Sequence, residues 1–367
     1  MSVENGLFLL TTVKLGGMIA TSQRLPSEAV ALGQTKNSVR RGEKAMKKML
    51  AIALAAMMLL SLAACTAEPA NNDNEGAQKY YVGICQLIKH EALDAATQGF
   101  MDALKEELGD QVEFKLENAA GDSNTCATIV NTFVTDEVDL IMANATSALQ
   151  AAAAATEDIP ILGTSVTEYG VALEIENFSG TVGTNISGTS DLAPLDEQAA
   201  MLLEWFPDAK NVGMLFCSAE PNSKYQVETV KTELEKKGVT VTFYPFADTN
   251  DLQAIVQKAA DESDVIYVPT DNQCASATET IDGVCRDAGV PIIAGEEGIC
   301  KGCGVATLSI SYYDLGVTTG KMAAKILKGE AKIEEMPIAY AEATKKYNAD
   351  ICAALELTAP EGYVAIG

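Results

Sequence analysis

From Lys79 onward the chain repeats one unit, a short apolar run followed by a segment whose apolar residues recur at helical spacing. Tyr80-Tyr81-Val82-Gly83-Ile84-Cys85 reads as a strand, and residues 92–108 place Ala95, Ala96, Phe100, Ala103 and Leu104 on one helical face. Strand 112–116, helix 123–136, strand 138–142, helix 147–156 and strand 159–162 continue the pattern. Strands alternating with helices in this way predict a parallel sheet covered on both faces. The pattern then restarts, with helices at 192–205, 224–237, 250–260 and 275–288 and strands at 212–216, 239–244, 264–268 and 290–293. Two α/β lobes of similar size follow. The tail offers strand 306–310, helix 314–328 stopped by Gly329, and an extended piece at 337–340. Too short for a third core, these pieces return to the existing lobes, and repeated crossings make a hinge of several strands. The expected boundaries are 79–188 plus 312–333 for lobe one and 189–311 plus 334–367 for lobe two.

A different pattern precedes the lobes. Lys47-Lys48, an apolar run from Met49 to Leu60, and Leu62-Ala63-Ala64-Cys65 have the three-part layout of a secretory signal ending in a bacterial lipobox. The apolar run is shorter than the roughly 20 residues of a spanning helix. Residues 46–64 are therefore expected to be a cleaved lipoprotein signal peptide. Cys65 would carry the lipid and anchor an extracytoplasmic protein to the bacterial cytoplasmic membrane. Residues 1–45 lack periodicity and are read as an upstream extension with a misplaced start, while residues 65–78, polar and alanine-rich, read as a tether.

Charge narrows the partners. Of 26 Lys/Arg and 51 Asp/Glu, the first 64 residues hold eight and three, leaving 18 against 48 beyond them. So acidic a chain is a poor partner for nucleic acid or anionic lipid. Arg286 is the only arginine after Cys65 and His90 the only histidine, so an arginine clamp on a carboxylate, a multi-histidine metal site or a histidine triad cannot be assembled with ease. An anion must be held by hydroxyls and backbone N–H groups.

Four stretches resemble one known family. They are Ile84-Cys85-Gln86-Leu87 with His90 and Ala92-Leu93-Asp94, Val138-Asp139-Leu140-Ile141 with Ala145-Thr146, Tyr267-Val268-Pro269-Thr270-Asp271-Asn272, and Ala306-Thr307-Leu308 with Tyr312-Tyr313-Asp314-Leu315-Gly316. Together they are similar to the ABC transporter substrate-binding lipoproteins of the tryptophan/tyrosine-type group, over roughly residues 79 to 345. The resemblance implies a type I periplasmic-binding-protein fold, two lobes closing on a small solute, and delivery to an ABC permease. Glu91, where proline is common in the family, and several cysteines depart from its pattern.

In such sheets ligands bind beyond the carboxyl ends of the strands. In lobe one this selects Gln86, His90, Thr146, Ser147, Ser165 and Thr167. In lobe two it selects Ser218, Asn222, Asp271, Asn272 and Glu297. Hydroxyls near helix N-termini suit a carboxylate, and Asp271 or Glu297 an ammonium, a pairing that matches a small amino acid. Each of these residues has a competing structural role: Thr146 and Ser147 as caps, Asp271 as the N-cap of helix 275–288, Glu297 as a solvated loop acid. Tyr169, Tyr312 and Tyr313 are candidates to pack on an aromatic ligand or simply in the core.

Eight cysteines remain after Cys65. Cys300-Lys301-Gly302-Cys303 leaves a local disulfide, half a metal site or free thiols open, and free thiols are the simplest reading. No cofactor and no metal is expected. No Gly-x-Ser-x-Gly elbow or phosphate loop appears, so an enzyme is the weaker alternative. A ligand sensor for a membrane receptor would share fold and site with a transport protein.

Overall fold

The computed structural model describes residues 78–366. The upstream extension, the signal peptide, Cys65 and nearly all of the tether lie outside the described residues.

Six strands form the first sheet: β1 (Tyr80–Gln86), β2 (Val112–Asn118), β3 (Leu140–Asn144), β4 (Ile161–Val166), β5 (Ile186–Ser190) and the late β11 (Ala339–Tyr340), in the order β11-β5-β4-β3-β1-β2. All its pairings are parallel. Seven strands form the second: β6 (Asn211–Cys217), β7 (Thr240–Phe246), β8 (Val265–Val268), β9 (Ile292–Ala294), β10 (Ala306–Ser309), β12 (Thr344–Tyr347) and β13 (Val364–Ala365), in the order β13-β12-β10-β9-β8-β6-β7. Here the β10–β12 pairing alone is antiparallel, and β13 runs parallel to β12.

Central strands such as β3 and β8 are buried at every residue, because helices cover both faces of each sheet. On the first sheet Cys126, Val130 and Phe133 fill one side, and Phe100, Leu104 and Met322 the other. On the second, Leu202, Trp205 and Val227 lie opposite Val256, Ile281 and Cys285.

The chain passes between the lobes three times, after β5, after β10 and after β11. The last passage comes later than the expected boundary at residue 333, since Ala339 and Tyr340 still pair with Thr189 and Ser190 in the first sheet. Strand β5 is absent from the sequence expectations for a plain reason. Its residues, Ile-Ser-Gly-Thr-Ser, carry one large apolar side chain, yet all five are buried. Their hydroxyls are satisfied internally: Ser187 donates to the Met336 carbonyl (3.0 Å), and Thr164, Thr189 and Thr319 close a ring of hydroxyls at 2.8 to 3.2 Å. Helix 275–288 is likewise two helices, Asn272–Ser276 and Thr278–Ala288, broken at Ala277.

Helix Tyr312–Leu327 returns to lobe one and lies along helix Glu91–Leu108 at close range. Glycines permit this. A Cβ on Gly99 would lie 2.1 Å from the Tyr313 carbonyl oxygen, and one on Gly316 2.0 Å from that of Ala96. Gly316→Ala should therefore force the helices apart and cost about 3 kcal/mol in urea unfolding. Gly283→Ala, inside helix Thr278–Ala288 with nothing within 4 Å of its Cβ, should instead gain about 0.5–1 kcal/mol.

Candidate ligand-binding site

Parallel strands of both sheets end on the gap between the lobes, and their terminal residues meet there. On lobe one, β3 and β4 finish in strained backbone. Ala145 sits at φ 93, ψ 160 as the cap of helix Thr146–Ala155, and Ser165 at φ 52 marks a bulge where the β4–β5 register shifts. Such conformations persist where the surroundings over-determine them, commonly at ligand sites. The Ala145 N–H is held by the Thr164 carbonyl (3.0 Å), leaving the first turn of the ten-residue helix directed at the gap's edge of the sheet.

Hydrogen bonds cross the gap at several points. His90 Nε2 lies 3.1 Å from Asn272 Oδ1. Thr167 Oγ1 lies 3.3 Å from Thr270 Oγ1, and Gln226 Nε2 donates to both hydroxyls, at 3.4 and 2.6 Å. Gln273 Nε2 donates to the Gly121 carbonyl (3.4 Å), and on the rim Lys301 pairs with Glu91 at 2.8 Å. The lobes are closed on one another.

Four carboxyl groups are buried around this gap, Asp191, Glu220, Asp271 and Glu296, while no lysine or arginine is buried among the described residues. Burial pushes all four up in pKa, Glu220 to about 8 with the help of neighbouring Asp271 and Glu296 to about 7. Three are held by N–H donors of their own lobe. Asp271 accepts from Cys217 N (2.7 Å) and Cys274 N (2.9 Å), Glu220 from Asn272, Gln273 and Asn222, and Glu296 caps helix Glu297–Cys303. Asp191 differs: Oδ2 accepts from Tyr312 O–H (2.8 Å), but Oδ1 is buried without a partner. Ser165 Oγ and His90 Nδ1 are in the same condition.

The predicted residues thus divide. His90, Thr146, Ser165, Thr167, Asn222 and Asn272 lie buried or half-buried at the interface of the strand ends, with Ser147 half-buried one residue into its helix. Asp271 takes the competing structural role, one oxygen accepting from the Cys217 N–H and the other from the Cys274 N–H as the N-cap of Asn272–Ser276. Glu297 turns outward to an ion pair with Lys346, and Ser218 is exposed, donating to the Phe246 carbonyl (3.1 Å). Gln86 is wholly engaged inside lobe one with Ile88, Asp94 and Thr97. Tyr169 is core, stacked on Phe178, and Tyr313 faces solvent.

Sequence reasoning missed Asp191, Glu220, Gln226, Thr270 and Glu296 as site residues. Asp191 follows the unrecognised strand β5, and Glu220 and Glu296 stood inside the strand-end stretches but looked like ordinary loop acids. All eight cysteines in the described residues are buried free thiols; Cys300 and Cys303 donate to helix carbonyls, and no group of three or more metal-type side chains occurs among those residues.

A carboxyl group with a raised folded pKa favours folding below its ordinary value, near 4.5, and loses that advantage as pH rises through the folded value. For Glu296 the window is about 4.5 to 7. Glu296→Gln keeps a capping oxygen but removes the titration, so its melting temperature relative to the parent should improve from pH 5 to pH 8. A constant difference across that range would show that Glu296 does not titrate there.

Comparison with known proteins agrees with this geometry. The family model described as "ABC transporter substrate binding protein" matches residues 81–364. A tyrosine-binding protein of Clostridioides difficile is 32% identical over 325 residues, 85% of this chain and 93% of that one. Among solved structures, an ABC domain from Streptococcus pneumoniae in complex with L-Trp is 32% identical, covering 79% of this chain and all of that one, at a TM-score of 0.74. A ligand-free, open substrate binding protein with adhesive properties from Clostridium difficile is 35% identical over 78% of this chain and 99% of that one, with a TM-score of 0.60. The better overlay on the complex than on the open form accords with the bonds that close the gap. This chain therefore belongs to the ABC transporter substrate binding proteins, a two-lobed family that binds its solute rather than transforming it.

Proposed function

We propose that the protein captures an aromatic L-amino acid between its lobes and delivers it to an ABC importer, working outside the cytoplasmic membrane from a lipid anchor on Cys65. The observation that carries this is that Oδ1 of Asp191 and the Ser165 hydroxyl are both buried without a partner on adjacent strand ends. The two flank one pairing position, since Val166 pairs with Ser190 and the Asp191 N–H donates to the Val166 carbonyl. Asp191 supplies the acceptor an ammonium needs. Ser165, Thr146, Ser147 and the N–H groups opening helix Thr146–Ala155 supply the donors a carboxylate needs, in place of an arginine. An amino acid carries both an ammonium and a carboxylate, and the tyrosine-binding and L-Trp-bound relatives support an aromatic side chain.

Binding and closure are then one event. Each lobe holds part of the cross-gap set, so the bonds of Thr167 to Thr270 and of His90 to Asn272 form when the lobes meet around the solute. Isothermal calorimetry with L-tyrosine and L-tryptophan tests the reading, with chromatography to recover the ligand unchanged. Asp191→Asn should weaken binding more than about tenfold, or about 1.4 kcal/mol. Failure of every aromatic amino acid to bind would overturn the assignment, and an unchanged affinity in Asp191→Asn would remove its ammonium role.

The anchor has its own test. Cys65→Ala should move the protein from the membrane fraction to the soluble extracytoplasmic fraction and abolish labelling by a fatty-acid analogue. Membrane retention of this variant would overturn lipidation.

A further inference from the structure

Glu220, Asn272 and His90 form a hydrogen-bonded line from lobe two into lobe one, and the line settles which nitrogen of the histidine carries its proton. Glu220 Oε2 faces three N–H donors, the Asn272 side-chain amide (2.7 Å), the Asn272 backbone (3.1 Å) and the Asn222 amide (3.2 Å). Oε1 faces one, the Gln273 N–H at 3.1 Å. Any proton Glu220 takes up goes to Oε1, and Oε2 remains an acceptor in either state. The Asn272 amide must therefore turn its NH2 toward Glu220 and its carbonyl toward His90. His90 Nε2, 3.1 Å from that carbonyl oxygen, has to be the N–H.

The ring is neutral, because burial pulls its pKa below the ordinary value. A neutral imidazole with its hydrogen on Nε2 presents a lone pair at Nδ1. That nitrogen is shut off from solvent and has no partner. His90 also helps wall a cavity of about 260 Å³ between the lobes, whose other walls include the small Ala275, Gly298 and Gly302 and the charged Lys89, Glu91, Glu296 and Lys301. A buried acceptor without a partner, on a ring that walls such a space, calls for a donor.

We propose that His90, fixed as the Nε2–H tautomer by Glu220 and Asn272, selects the ligand's side chain, its Nδ1 accepting a hydrogen bond from a phenol O–H or an indole N–H. This rests on the aromatic amino-acid reading and sharpens it: side chains of the tyrosine or tryptophan kind are favoured over phenylalanine, which has no donor to give. Sites built to bond a substrate O–H or N–H reject the analogue lacking it far better than a hydrophobic pocket rejects a change in size. Glu220 and Asn272 act here as positioning residues.

His90 is the only histidine of the chain, so nitrogen NMR of protein labelled at histidine reads its tautomer directly. The spectrum should show a protonated Nε2 and a bare Nδ1, and L-tyrosine or L-tryptophan should shift the Nδ1 signal while L-phenylalanine leaves it nearly in place. Calorimetry should find phenylalanine at least about tenfold weaker than the better of the other two. His90→Phe should compress that ratio to within about threefold, and His90→Asn, whose amide oxygen can stand where Nδ1 stood, should restore part of it. Asn272→Leu, which frees the tautomer, should compress the ratio with His90 intact. Equal binding of all three amino acids, a protonated Nδ1, or a ratio unchanged in His90→Phe would each overturn the role of His90 and leave the aromatic amino-acid reading standing. Binding of none of the three would instead overturn that reading, and the proposal with it. The spectrum and the parent ratio decide the matter even if a variant fails to fold.

Discussion

Everything in this molecule depends on the direction of its strands. A parallel sheet brings every strand to an end on the same side, and there the chain must turn, so polar backbone and side-chain groups accumulate along one edge. Two such edges face each other here, joined by three passages of chain. The gap is consequently a region where both lobes present polar groups to each other, and Thr167, Thr270, His90 and Asn272 bridge it.

The buried acids of the gap are held without cations. Buried carboxylates are tolerable when several hydrogen bonds compensate the loss of water. Asp271, Glu220 and Glu296 obtain these from the N–H groups at the starts of short helices and at strand ends, which also fixes the loops that carry Asn222 and Asn272. Asp191 is compensated on one oxygen alone. The contrast separates three acids whose oxygens are held by N–H groups of their own lobe from Asp191, whose Oδ1 has no partner.

The close contact of helices Glu91–Leu108 and Tyr312–Leu327 serves the same gap from behind. The second of these helices begins directly after a lobe crossing, and its Thr319 joins the hydroxyl ring with Thr164 and Thr189. Strand β4, whose bulge carries Ser165, is thereby tied to the hinge. Thr164 is buried there at little loss because its hydroxyl has partners on the adjacent elements, whereas the Ser165 hydroxyl has none.

The alternation of apolar runs and helical periods was enough to read two parallel-sheet lobes and a hinge from the chain alone, because burial on both faces writes itself into every central strand. The polar strand ends were legible as well, since a parallel sheet tells the reader where to look. Strand β5 was not, as its five buried residues are mostly hydroxyl or glycine and owe their place to partners distant in sequence. The roles of the acids were not legible either. Asp271 and Glu297 looked like free carboxylates and Glu220 and Glu296 like loop residues, because a one-dimensional pattern cannot show which N–H groups already face each oxygen. Tertiary structure decided that: it put N–H groups on both oxygens of Asp271 and left Oδ1 of Asp191, one residue past the unread strand, without a partner.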